Sequence, residues 1–178
     1  PAVLLPHGTV GNSASGIAPD VSKGKFGPFK EQLFVADQTH SVINRCFLEK
    51  INGYYQGACF PFVKGFGSGN VPVVQAPDGS LFSGGTDRGW GARGGKRYAL
   101  DRVVWTGKTP FEILEMRIQK DGFELEFTKP VDKTSAESLD SYDMKTHTYI
   151  FQGKYGSPRV DATEPVIKSA KVAKDGKT

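Results

Sequence analysis

Two segments of the chain repeat each other about 50 residues apart, and a period of that size built from short apolar runs narrows the possible folds sharply. The first copy reads Ala18-Pro19-Asp20, then Leu33-Phe34-Val35-Ala36-Asp37, then Ile43-Asn44-Arg45-Cys46-Phe47-Leu48. The second reads Ala76-Pro77-Asp78, then Leu81-Phe82-Ser83-Gly84-Gly85, then Leu100-Asp101-Arg102-Val103-Val104-Trp105. Repeats of this kind are the mark of β-propeller blades, each of which needs neighbours to cover its faces. Two copies are too few to close a ring, so the expectation is a part of a larger propeller.

The remaining residues agree with an all-β chain. Gly 22 and Pro 11, with Phe 12 and Tyr 6, favour turns and strands over helices. An apolar fraction of 38% with mixed charge argues for packed structure over most of the length. The chain begins at Pro1 and stops just after Lys174-Asp175-Gly176-Lys177, and both ends read as cut. No apolar run reaches the roughly 18 residues needed to span a bilayer, so no membrane span is expected here. The net charge of +4 includes Lys168, Lys171, Lys174 and Lys177. These alternate with small and apolar residues, as on a solvated strand face, which argues against a nucleic-acid partner.

Strands are expected at 15–20, 32–37, 42–51 and 54–63 for one four-stranded blade, and near 71–76, 80–84 and 98–105 for the next. Gly24-Lys25-Phe26-Gly27-Pro28-Phe29 forms a long connection whose aromatics are expected to pack on the blades. Gly65-Phe66-Gly67-Ser68-Gly69 reads as the link between blades rather than as a phosphate loop, since no helix follows it. Thr109-Pro110 marks a boundary. Beyond it, Ile113, Met116 and Ile118, then Phe123, Leu125 and Phe127, alternate like two strands joined at Asp121-Gly122. Further strands are expected at 145–151 and 165–173. This pattern resembles the opening of an immunoglobulin-like sandwich, although residues 110–178 are too few for its usual seven strands. The expected domains are therefore 1–109, two propeller blades, and 110–178, a truncated immunoglobulin-like β-sandwich.

Asn52-Gly53 between two strand-like runs is a strong hairpin signal. A two-residue turn there places Cys46 directly opposite Cys59, at a non-hydrogen-bonded pair where Cα atoms lie about 4.5 Å apart. A disulfide tolerates that separation. The alternatives are two reduced core thiols, or a bulge at Gly57-Ala58 that breaks the register.

Chemistry is concentrated in two equivalent loops. Asp37-Gln38-Thr39-His40 follows the second strand of the first blade, and Asp87-Arg88-Gly89-Trp90 follows that of the second. Loops at one end of a propeller converge on its channel, so Asp37, Thr39, His40, Asp87, Arg88, Trp90 and Arg93 are the ligand-binding candidates. Arg88 and Arg93 suit an anionic group, and Trp90 suits a sugar or planar ring. The plainer alternative is that Asp37 and Asp87 cap turns while Arg88 pairs with a carboxylate. His7, His40 and His147 are isolated in sequence and form no catalytic spacing, so no catalytic residue is assigned.

Across residues 5–107 the landmarks Ser13-Ala14-Ser15-Gly16, Leu33-Phe34-Val35, Ile43-Asn44-Arg45, Ala76-Pro77-Asp78-Gly79-Ser80-Leu81-Phe82 and Thr86-Asp87 together resemble the glucose/sorbosone dehydrogenase family. With Gly89-Trp90-Gly91 and Trp105-Thr106-Gly107-Lys108-Thr109-Pro110-Phe111, the chain looks like a large secreted bacterial branch described as membrane-bound dehydrogenases. The resemblance implies a secreted or periplasmic β-propeller oxidoreductase that oxidises sugars with pyrroloquinoline quinone (PQQ), with calcium as a further cofactor in the parent. The family's Arg-x-Arg-Asp run aligns with Gly69-Asn70-Val71-Pro72, and its cofactor-contacting lysine falls near Thr39. Arg88, Arg93 or Lys96 would have to supply the cations. The expected function is thus that of the C-terminal part of a sugar-dehydrogenase-like propeller, inactive by itself, whose partners are a sugar or glycan and the remaining blades of the parent. The alternative is a non-catalytic propeller that binds glycan or protein through the same loops.

Overall fold

The computed structural model describes residues 1–154 and 156–178. The chain is all-β, built of small antiparallel sheets with two short helical turns among the described residues, and it divides into two compact units, Pro1–Thr128 and Lys129–Thr178.

The first unit opens with a four-stranded meander of β1 (Ala14–Pro19), β2 (Leu33–Asp37), β3 (Val42–Ile51) and β4 (Tyr54–Lys64), in that spatial order. A three-stranded meander follows: β5 (Asn70–Gln75), β6 (Leu81–Thr86) and β7 (Tyr98–Val103). Period-2 alternation sorts their residues by face. Phe34, Ala36 and Ile43 from the first sheet meet Val73 and Leu81 from the second in one core. The backbones of β1 and β5 touch at Gly16, where an added Cβ would lie 2.4 Å from the Val71 carbonyl oxygen. Glycine is the residue that lets the two sheets come this close.

Phe26 and Phe29, in the connection between β1 and β2, are core residues. The Phe26 ring stands edge-on to Phe34 at 5.5 Å, and Phe29 edge-on to Phe62 at 4.9 Å. Rings buried to this degree contribute roughly 2–3 kcal/mol each. Trp105 lies over Gly27, where a Cβ would come within 2.7 Å of the indole.

The β3–β4 hairpin forms as its turn chemistry requires. Asn52 and Gly53 both have positive φ, 50° and 87°, the signature of a type I′ turn. Cys46 faces Cys59, and the register holds through Gly57 and Ala58. The irregularity falls instead between Ile43 and Asn44, where Phe62 is the extra residue and packs against the core. Pro61, opposite Asn44 on the edge strand β4, falls at a non-hydrogen-bonded pair, where its lack of an N–H costs the β3–β4 ladder nothing.

After Thr109-Pro110 comes a hairpin of β8 (Ile113–Gln119) and β9 (Gly122–Phe127). Its turn is Lys120-Asp121, with Gly122 already paired to Gln119, one residue before the expected junction. The hairpin belongs to the first unit, bound to β3 through Arg45. On its surface the Arg117 guanidinium pairs with Glu115, Glu124 and Glu126.

The second unit holds α1 (Lys133–Glu137), a 3-10 turn at Leu139–Ser141, and a hairpin of β10 (Thr146–Tyr149) and β11 (Arg159–Thr163). Asp132 caps α1 by accepting from the Ser135 amide at 2.9 Å. The strand expected at 165–173 does not form. Alternation there supplies no partner ladder, and the segment is held by a Val172 amide bond to Glu137 and a turn between Ala173 and Thr178. Among the described residues no helix is long and apolar enough to cross a membrane.

Candidate functional site

The loops that follow β2 and β6 meet at one end of the two meanders. Asp37 ends β2 with its carboxylate fully buried. It accepts from the amides of Asn12 at 2.6 Å, Ser13 at 2.9 Å and His40 at 2.7 Å. The His40 ring nitrogen Nδ1 lies 3.9 Å away. An anion surrounded by donors in this way is a structural fastener, tying the N-terminal segment to the 38–41 turn. Of the two sequence readings of Asp37, the turn-capping one describes its contacts.

The neighbouring side chains hold the second loop. Gln38 Nε2 donates to the Thr86 carbonyl at 3.1 Å and to the Trp90 carbonyl at 2.7 Å. The Thr39 carbonyl accepts from the Arg93 amide at 3.0 Å, and Ser41 Oγ accepts from the Gly94 amide at 2.9 Å. From the other side, the Lys96 amide donates to the Gly67 carbonyl at 2.9 Å. The loop closes on itself where the Asp87 amide donates to the Arg97 carbonyl. Glycine makes the seat possible. A Cβ at Gly94 would lie 2.5 Å from the Gly67 and Ser68 backbone, and one at Gly69 would lie 2.5 Å from the Gln38 carbonyl oxygen. Residues 66–69 are therefore a tightly packed seam, while Gly65 stays exposed beside it.

These contacts use the main chain of the 87–97 loop and leave its side chains to solvent. Trp90 is 61% exposed, and Arg88 and Arg93 are exposed as well. No carboxylate among the described residues pairs with Arg88, Arg93, Lys96 or Arg97. The pairing of Arg88 with an acid that the plainer alternative offers is not made among the described residues. Thr39 directs its hydroxyl at Ser13 Oγ, 3.0 Å away. The candidates thus separate into two roles: Asp37, Thr39 and His40 build the platform, while Arg88, Trp90 and Arg93 stand on it. Asp87 lies half-buried at the loop's base. Gln38 and Ser41 carry the key cross-loop bonds and were not among the candidates; their only sequence signal is a polar run continuing past Asp37.

The quinone expected from the resemblance does not fit the aligned positions. A ring bearing several carboxylates needs fixed cations. At the aligned position stands Asn70, fully buried, with neither Nδ2 nor Oδ1 of its side chain hydrogen-bonded, and Thr39 supplies a hydroxyl already bonded to Ser13. The loop arginines lie outside this seam on the exposed surface.

Two further polar groups lie inside the first unit. Arg45 is fully buried, with its guanidinium 4.6 Å from the ring centres of both Phe29 and Phe60. It donates to the Leu114 carbonyl at 2.8 Å and the Ile113 carbonyl at 2.6 Å, and Glu112 lies 3.6 Å away. Burial lowers its pKa to about 10, partly offset by Glu112, so the side chain stays charged at neutral pH. Burial likewise raises the Glu112 carboxyl above the usual range. Cys46 and Cys59 are both free thiols facing one another across β3 and β4. A hydrogen bond from Cys59 holds Cys46 below the ordinary thiol range and pushes Cys59 up.

Set against known proteins, the chain matches no family model, no curated protein and no solved structure. The geometry of the site carries the functional argument.

Proposed function

We propose that the two meanders are neighbouring blades of a β-propeller of the glucose/sorbosone dehydrogenase type, and that the loop face they share binds carbohydrate. The observation that carries this reading is the stitching of two repeat-equivalent loops into one platform under an exposed tryptophan flanked by arginines. An exposed indole offers an apolar face to the C–H side of a sugar ring, and arginine forks donate to its oxygens or charged substituents. The two meanders support the blade reading through their matching strand order and the close β1–β5 contact, and the resemblance supports a secreted or periplasmic setting. On the same reading, β8–β9 opens an immunoglobulin-like sandwich.

Binding without catalysis is the better-supported form. The aligned quinone positions lack cations, and the Asp37 carboxylate is occupied by amides. Affinity electrophoresis of the protein through gels containing soluble polysaccharides tests the reading: retardation that Trp90→Ala abolishes supports it, and free migration through every gel overturns it. The oxidoreductase reading keeps the support of the residue landmarks. Supplying the intact parent protein with pyrroloquinoline quinone and calcium and following dye reduction across a panel of sugars tests it separately, and no turnover with any sugar rules it out.

A further inference from the structure

We propose that the 87–97 loop is a site for an acidic polysaccharide whose sugar rings carry carboxylates, with Trp90 beneath one ring and Arg88 and Arg93 on carboxylates beside it. The proposal rests on the carbohydrate reading of this loop and names the class of sugar. Its first support is charge: Arg88, Arg93, Lys96 and Arg97 share the loop with one acid, Asp87. None of the four pairs with a carboxylate among the described residues. The nearby Asp101 carboxylate is engaged by the Gly67 amide at 3.0 Å. A neutral glycan would leave this cationic field unused, while an acidic one is attracted by it and steered toward the loop.

The second support is rigidity. Bonds from Gln38, Thr39, Ser41 and Gly67 hold the loop at Trp90, Arg93, Gly94 and Lys96, so the side chains are offered from a fixed backbone. Little loop ordering then opposes binding, and guanidinium forks at fixed bases match planar carboxylates in pairs. The third support is the spacing of cation and ring. Trp90 lies between Arg88 and Arg93, which suits a polymer that alternates a ring face with a charged substituent. Nucleic acid carries a denser and continuous charge, one per roughly 1.7 Å of duplex axis, and favours a basic track. Here the four cations follow one another within one loop, with the indole among them.

The test compares retention of the intact protein on polygalacturonate, neutral dextran, dextran sulfate and single-stranded DNA, at low and at moderately high salt. The expected result is strongest binding to polygalacturonate, weakened about tenfold or more on going to roughly 0.3 M salt. Arg88→Gln with Arg93→Gln should weaken it by a further factor of about 10 to 100, since each charge-assisted bond carries appreciable affinity. Both side chains are exposed, so an unchanged thermal transition will show that the variant is folded. Equal retention on dextran and polygalacturonate overturns the acidic preference and leaves the carbohydrate reading standing. Retention on no polysaccharide overturns both. Tighter binding to dextran sulfate or DNA than to polygalacturonate overturns the carboxylate assignment.

Discussion

Arg45 donates to the main-chain carbonyl of Leu114 at 2.8 Å, a bond between a β3 side chain and a hairpin 69 residues further along the chain. The same guanidinium reaches Ile113 and Gln32 and lies between two phenylalanine rings. With Gln32, whose amide nitrogen also donates to the Leu114 carbonyl, it forms a small buried polar group that joins β8 to the first meander. Replacing Arg45 with Met keeps much of the bulk and removes the donors: the Ile113 carbonyl and the Gln32 amide oxygen lose this partner, while the Leu114 carbonyl keeps its bond from Gln32 Nε2 at 2.8 Å. The expected loss is about 2–4 kcal/mol, read as a shift of the urea midpoint. An unchanged midpoint would mean that Arg45 is not what holds the hairpin, and that the Gln32–Leu114 and Glu49–Ile118 bonds and apolar contact suffice.

Glu112, beside Arg45, makes stability depend on pH in a definite direction. Burial raises its folded-state pKa above the unfolded value, with Arg45 opposing the shift. The folded chain therefore holds this proton more tightly. The stability it contributes is present below the unfolded pKa and is lost as pH rises through the folded one. Glu112→Gln removes the titration. Across about pH 4 to 6 the wild-type protein should lose stability relative to the Gln variant, measured by paired denaturation curves. Parallel curves at every pH would refute the assignment.

The thiols of Cys46 and Cys59 face each other at a cross-strand pair and are ready to join. With an oxidised small-molecule disulfide, exchange should form one intramolecular bond and release two small thiols. The product is about two mass units lighter per chain and blind to alkylation. Closing a loop of this length should add about 2–3 kcal/mol of stability. Two alkylatable cysteines after prolonged oxidation would exclude the bridge.

Gly94 and Gly91 occupy the same loop and differ in their surroundings. A Cβ on Gly94 meets the Gly67–Ser68 backbone at 2.5 Å, whereas one on Gly91 meets nothing within 4 Å. Gly94→Ala should lift the loop from its seat, costing roughly 1–3 kcal/mol and speeding proteolysis between Arg88 and Arg97. Gly91→Ala should be close to neutral. Equal protease resistance in the two variants would show that the seat is not what holds the loop.

Much of the first unit is legible in the sequence because its signals are local. Asn52-Gly53 favours positive φ at both turn positions, and that choice alone sets the Cys46–Cys59 pairing six residues away on each strand. Alternation likewise locates β2, β6 and β9 to within a residue or two. It fails at 165–173, where the same pattern is present without a partner strand; alternation prescribes a face, and only a neighbouring strand makes a ladder.

The site divides along the same line. Residue types alone mark the loops after β2 and β6 as polar, aromatic and cationic. The roles of those residues depend on contacts that no short window contains: Asp37 takes amides from residues 24 and 25 positions earlier, and Gln38 reaches Trp90 52 positions later. Nor does any local pattern mark Arg45 as buried, since an arginine in a strand reads as a solvent-facing residue until a distant backbone supplies acceptors. Turn geometry, strand periodicity and composition act over a few residues and are written directly in the chain. Which polar groups end inside and which remain free to bind is decided by long-range pairing, because a buried charge is tolerated only where folding brings it partners.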